Sequence, residues 1–332
     1  MSTSTSTSTS TSTSTSTMRA VVQDTTGGPE VLRVAEVERP RPLPTEVLVR
    51  VRAAGVNPVD WKTRQGAGMA GVLGEPPFIL GWDVSGVVEE VGFGVTTLAP
   101  GDEVYGMPWF PREAGGYAEF VTAPSRQFAV KPASLSHEEA AAVPLAALTA
   151  WQILVDTARV TAGQRVLVHA AAGGVGHFAV QFARHLGARV VGTARESRHE
   201  WLRRLGAEEL VDYTAQRFED VVEDVDVVID LLGEDLDATS TRSLKVLRKG
   251  GLLVAVPGGV GPELRRAADE RGVRTSGFLV EPDGAALTAI AALIDKGEVA
   301  VEVEDVFPLE EAARAHARGE YGHTRGKLVL RV

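Results

Sequence analysis

The chain contains no cysteine, which excludes disulfides and any thiolate metal site. No apolar run is long enough to span a bilayer. The first residues lack the basic start and apolar stretch of a secretory signal. No basic run stands out either: 34 Lys and Arg stand against 44 Asp and Glu, for a formal net charge of −10. Nucleic acid and membrane are therefore not expected partners, and a cytoplasmic location is expected. No Ser-His-Asp set, carboxylate pair or Tyr-x-x-x-Lys arrangement presents itself, so any chemistry here rests on positioning.

What is present is ordinary in bulk, with 44% hydrophobic and 23% charged residues. At 332 residues the chain exceeds what one core usually supports, and two domains are expected. Residues 1–17 form a Ser/Thr tail that cannot bury apolar surface, so disorder is expected there. It reads as a linker, or Met18 is the true start.

Arg165–Arg198, RVLVHAAAGGVGHFAVQFARHLGARVVGTARESR, reads as strand, glycine turn, helix and second strand. Arg165–His169 is apolar enough to be buried on both faces. Ala170–Gly176 is an A-x-x-G-x-x-G turn. Phe178, Phe182 and Leu186 then recur at helical spacing, and Gly187 caps the helix. Such a turn offers backbone N–H groups and a helix dipole to a diphosphate, assigning Gly173, Gly174, Val175 and Gly176 to a dinucleotide. An NAD site places an acid at the end of the second strand. Here that place holds Thr193 and Arg195, with Arg198 following, which suits a 2′-phosphate and hence NADPH. Glu196 either points away as a helix-start acid or holds a ribose hydroxyl.

Elsewhere, Met18 to about Ala123 shows short strands between Gly and Pro turns, the texture of an antiparallel, partly closed barrel. Strands are expected at Val47–Val51, Gly86–Val91, Glu103–Gly106 and Gly116–Val121. After an alanine-rich helical stretch from Ser136 to Trp151, strands alternate with helices through Val280, implying a doubly wound parallel sheet. From Ala285 follow a helix, an acidic loop, a short helix over Pro308–Arg318 and a last strand, Lys327–Val332, returning to the barrel.

Several segments in order now carry a resemblance: Ala54–Lys62 (AGVNPVDWK), Gly81–Val88 (GWDVSGVV), Pro100–Gly106 (PGDEVYG), Leu145–Trp151 (LAALTAW), the nucleotide turn, and Gly326–Leu330 (GKLVL). From Met18 to Val332 the chain resembles the medium-chain dehydrogenase/reductase superfamily, in its zinc-independent quinone oxidoreductase and enone reductase branch. The implied fold is α/β, a GroES-like antiparallel β-barrel domain (18–145 and 284–332) plus a doubly wound Rossmann domain (146–283). Where zinc alcohol dehydrogenases carry Cys and a His-Glu pair, this chain has Asn57, Trp82 and Asp83. No metal is therefore expected.

The resemblance implies further roles. Asn57 donates to a substrate carbonyl, or is a turn-former before Pro58. Lys62 contacts the cofactor or meets a developing enolate; the alternative is a solvated surface lysine. Asp60 and Trp61 orient the loop and wall the pocket. Thr149 holds the nicotinamide end, or bonds back to its own helix. Tyr213 lies against the 2′-phosphate, or is simply an aromatic at a strand end. Leu232 and Val256 line the cofactor with their backbone, and His323 and Arg325 are within possible reach of the cleft. Trp61, Met107, Trp109, Phe110 and Phe278 suggest a small hydrophobic, electrophilic acceptor. The implied activity is NADPH-dependent hydride transfer to a quinone or an enone C=C bond, in a homodimer joined through an edge strand near Thr275–Val280. The alternatives are a zinc-free alcohol dehydrogenase or ketone reductase, and a non-catalytic NADPH-binding protein.

Overall fold

The computed structural model describes residues 16–332. The chain opens with β1 (Thr17–Gln23), β2 (Leu32–Glu38), β3 (Glu46–Val56), α1 (Pro58–Arg64) and α2 (Ala70–Leu73). Next come β4 (Phe78–Ile79), β5 (Asp83–Val91), β6 (Glu103–Gly106), β7 (Phe120–Pro124) and β8 (Phe128–Val130). α3 (His137–Ala141) and α4 (Pro144–Trp151) lead to β9 (Arg165–Val168), α5 (Gly174–His185), β10 (Arg189–Thr193), α6 (His199–Leu205) and β11 (Glu209–Val211). β12 (Val225–Asp230), α7 (Thr239–Ser243), β13 (Leu247–Ala255), α8 (Pro262–Arg271) and β14 (Arg274–Gly277) follow. The chain closes with α9 (Gly284–Asp295), β15 (Val303–Pro308), α10 (Ala312–Glu320) and β16 (Lys327–Arg331).

β9 to β14 form a six-stranded parallel sheet in the order β11-β10-β9-β12-β13-β14. Its central strands bury Val166, Leu167, Val168, Ile229 and Val254 because helices cover both faces. Strand order reverses between β9 and β12, which opens a crevice at their carboxyl ends. α5 packs there through fully buried Phe178 and Phe182, and Trp151 of α4 meets Phe182 edge-on at 5.3 Å.

The barrel is a seven-stranded sheet, β15-β16-β3-β5-β6-β8 with β7 also on β3. β3 is its spine because its eleven residues are nearly all buried. β16 pairs antiparallel with β3, so the last strand returns to the barrel as expected. The expected α/β architecture, GroES-like barrel plus Rossmann sheet, is thus present.

Local expectations need correction in four places. The acidic loop before the last helix is the strand β15, whose backbone pairs in parallel with β16. The strand expected over Gly116–Val121 lies at Phe120–Pro124. Gly116 and Tyr117 instead donate their N–H groups to the carbonyls of Gly81 and Leu80, both 2.9 Å away. The short helix starts later than expected, as a 3-10 turn (Leu309–Glu311) leading into α10. The Ser/Thr tail expected over 1–17 lies outside the described residues up to position 15, and Thr17 pairs with Glu38 in β1–β2.

Candidate active site

The glycine turn after β9 is shaped from beneath. Ala170 adopts φ +48°, and its N–H donates to Thr193 Oγ1 at 3.3 Å. Gly173 N–H closes the turn on Ala170 O at 2.9 Å. A Cβ on Gly176 would lie 2.3 Å from that same carbonyl, so only glycine lets α5 come this close to its strand. Gly174, Val175 and Gly176 form the helix's first turn, where backbone N–H groups have no intrahelical acceptor. An anionic diphosphate would satisfy them. Thr193 is buried beneath this turn, with His169 Nδ1 3.2 Å from its hydroxyl. It therefore shapes the turn from below.

Arg195, exposed just past β10, donates from Nε to the Tyr213 hydroxyl at 3.1 Å, and its other arm lies 2.9 Å from His323 Nε2. Three separate segments thus converge on one guanidinium that has no carboxylate partner among the described residues. An uncompensated, exposed Arg beside a phenol and an imidazole fits a phosphate. NADPH therefore fits the residues present at both the turn and the cluster. Arg198 leans toward Glu304, 3.8 Å away, which also receives Arg318 at 2.6 Å. Glu196 is exposed on the 3-10 turn between the two arginines. Arg325 is taken by Glu302 and lies 5.4 Å above the Trp201 ring.

At the ends of β12 and β13, the N–H groups of Leu232 and Gly233 donate to Asp230 Oδ1 at 2.9 and 3.0 Å. Val256 N–H donates to Asp230 O at 3.1 Å. This pins both loops beside the crevice and leaves their carbonyls as the available backbone groups. Thr149 is buried, and its hydroxyl donates to Leu145 O at 2.7 Å, the back-bonded alternative.

Asn57 caps α1 and is only 1% exposed. Its N–H donates to Asp60 Oδ2 at 2.7 Å, its Nδ2 donates to Asp83 Oδ2 at 2.8 Å, and its Oδ1 accepts from Lys327 Nζ. The Asn57 side chain is therefore part of the protein's own polar core. Lys62, on the outer side of α1, is exposed. Burial pushes the Asp83 carboxyl up and the Lys327 ammonium down, each opposed by the other's charge. Asp60 is raised to about 7, chiefly by burial, and its Oδ1 has no hydrogen-bond partner. Beyond it, buried Tyr117, His316 and Arg64 continue the polar chain, which ends on exposed Glu320, with Tyr117 OH 3.2 Å from His316 Nε2 and Arg64 2.5 Å from Glu320.

The aromatic pocket wall expected from sequence is only partly assembled. Trp61 packs on α10, where a Cβ on Gly319 would sit 2.6 Å from its ring, and so serves the fold. Met107 and Phe110 are buried in the core, and Phe278 packs against it. Trp109 lines an open groove of about 310 Å³ on the barrel with Met18, Ile79 and Phe120, and none of the cofactor candidates lines it. Among the described residues no group of three or more His, Cys, Asp or Glu could hold a metal ion. No helix there is long and apolar enough to cross a membrane.

Residues 43–133 match the family described as alcohol dehydrogenase GroES-like domain, and residues 205–330 the one described as zinc-binding dehydrogenase. A mitochondrial NAD(P)H oxidoreductase of Danio rerio is 34% identical, over 95% of this chain and 91% of its own. A chloroplastic NADPH-dependent alkenal/one oxidoreductase of Arabidopsis thaliana is 35% identical, over 94% and 79% respectively. The quinone oxidoreductase structure from Coxiella burnetii superimposes with a TM-score of 0.90 at 37% identity, over 96% of this chain and all of that one. The chain belongs to the medium-chain dehydrogenase/reductase superfamily, in its quinone oxidoreductase and enone reductase branch. As a member it is an oxidoreductase that works with a nicotinamide cofactor.

His323, placed by the sequence within reach of the cleft, meets Arg195. Lys327 escapes sequence reasoning, which reads it as the first residue of a strand. Its signal was present: in a strand reading KLVLR, a lysine beside fully buried neighbours requires a carboxylate partner.

Proposed function

We propose that this oxidoreductase transfers hydride from NADPH to a quinone or to the C=C bond of an α,β-unsaturated carbonyl, without zinc. The single observation carrying the cofactor choice is Arg195, uncompensated and flanked by Tyr213 and His323. An NAD site would place a carboxylate to accept from the ribose 2′-hydroxyl at this position. The NADPH-dependent Arabidopsis relative supports the same choice.

When bound, NADPH supplies the hydride. The amides of Gly174, Val175 and Gly176 hold its diphosphate, and Arg195 and Tyr213 hold the 2′-phosphate. Lys62 projects from α1 toward solvent and meets the negative charge that develops on the acceptor oxygen. With an enone, the hydride that NADPH would supply forms the C–H bond at the β-carbon, the C=C electrons become the enolate, and the α-carbon takes its proton from water or another donor. Asp83 supports a zinc-free mechanism, because its oxygens are taken by Leu145 N–H at 2.7 Å and by Asn57, with Lys327 3.4 Å away. β14 is the edge of the parallel sheet, which supports dimerisation by strand pairing.

Arg195→Ala tests the cofactor assignment. The variant should raise the NADPH Kd by about 10- to 100-fold, the loss of a charge-assisted phosphate contact, while leaving NADH binding within about twofold. Equal weakening of both cofactors contradicts the assignment.

A further inference from the structure

Lys327 stands where three parts of the molecule meet. Its Nζ donates to Val56 O at 3.1 Å and to Asn57 Oδ1, the last residue of β3 and the N-cap of α1, and lies 3.4 Å from Asp83 Oδ2. Its methylene stem lies against the nucleotide turn: a Cβ on Gly174 would be 2.9 Å from Lys327 Cδ. The backbone reinforces this, because Gly326 N–H donates to Ala172 O in the same turn at 3.0 Å. Four residues earlier on the same loop, His323 touches Arg195. The loop therefore contacts both ends of the nucleotide site.

We propose that Lys327 is the positioning residue that ties the nucleotide turn to α1, the helix that carries Lys62. The assignment rests on the function proposed above only for what Lys62 does; the mechanical tie itself does not. A buried lysine is costly unless its charge is met, and Asp83 meets it. Its three N–H donors are spent on α1's start and on Asp83, so the amine is not itself a proton donor to substrate. Displacement of the turn moves the lysine stem, and with it the N-cap of α1. Lys62 lies one turn further along.

Lys327→Met alone would strand the buried Asp83 charge, so the test uses Asp83→Asn/Lys327→Met, which leaves the core neutral, alongside Lys327→Arg, which keeps the cation. Hydrogen exchange of the α1 amides is followed with and without NADPH, together with NADPH Kd by fluorescence, melting temperature and kcat. In the natural protein NADPH should slow exchange across 59–64. In the folded double variant that slowing should vanish, kcat should fall by about 10- to 100-fold, and NADPH Kd should stay within about threefold. Lys327→Arg should lose part of the slowing, because a planar fork cannot occupy the same three-acceptor corner. Slowing retained in the folded double variant, or undiminished in folded Lys327→Arg, overturns the proposal. So does failure of both variants to fold, since the lysine would then serve the fold alone. If NADPH slows α1 exchange and the double variant abolishes that slowing, but no quinone or enone is reduced, the proposed function fails and the tie stands.

Discussion

Asp60 shows how a single buried side chain writes a pH dependence. Its carboxyl is raised from 3.8 to about 7 because burial disfavours the anion more than Asn57 N–H and Lys327 favour it. The folded state therefore holds a proton that the unfolded chain has released. This contribution to stability is complete below about pH 4 and is lost as pH rises to about 7. Asp60→Asn removes the titration while keeping an acceptor for Asn57 N–H. Urea unfolding should show the variant gaining on the natural protein between pH 5 and 7.5, by at most about 1.4 kcal/mol per pH unit. A difference that stays constant with pH contradicts the raised carboxyl. Arg195 is legible from its place at the end of the second strand and Tyr213 from the family resemblance, and the two side chains meet. Asn57 was legible as a residue to watch but not as a buried one, because burial depends on Lys327, 270 positions away in sequence.

Among elements, the β9–turn–α5 unit was the most legible, since glycine spacing, strand and helix periodicity all agree locally. Gly176→Ala is the corresponding test. The added methyl would collide with Ala170 O at 2.3 Å and with Ala171 Cα at 2.7 Å, both backbone atoms that cannot swing aside. The turn must open, so NADPH affinity should drop by more than about tenfold and stability by about 1–3 kcal/mol. Fluorescence titration and thermal melting check both, and unchanged affinity would mean the turn is not the diphosphate site. β15 was illegible for a complementary reason. Its residues VEDVFP alternate poorly, and the strand exists because β16 offers it an edge, information held by the partner strand rather than by the segment.

For the whole molecule, the buried histidines set the acid limit. Burial holds His169 and His177 at about 4 and His316 at about 3, all below their usual 6.5. Each is neutral in the fold and protonates more readily when unfolded, so its contribution is present above pH 6.5 and is lost as pH falls toward 4. At pH 5 each site should cost about 2 kcal/mol relative to pH 7, and melting curves across that range should drop steeply. A flat profile contradicts neutral burial. The two-lobe layout itself was legible from length, the strand texture of the first third and the alternating units that follow. The contacts at Lys327 were not, because they arise only when the last strand, β16, pairs with β3. The central claim is an NADPH-dependent reductase of electron-poor acceptors, and NADPH oxidation at 340 nm against a benzoquinone, a short enone, a reactive enal and a simple ketone tests it most directly. Each acceptor is assayed with and without chelator. The account predicts turnover of quinone or enone, unaffected by chelator, with NADH much poorer. Turnover of the ketone alone, or chelator-sensitive turnover, would contradict it.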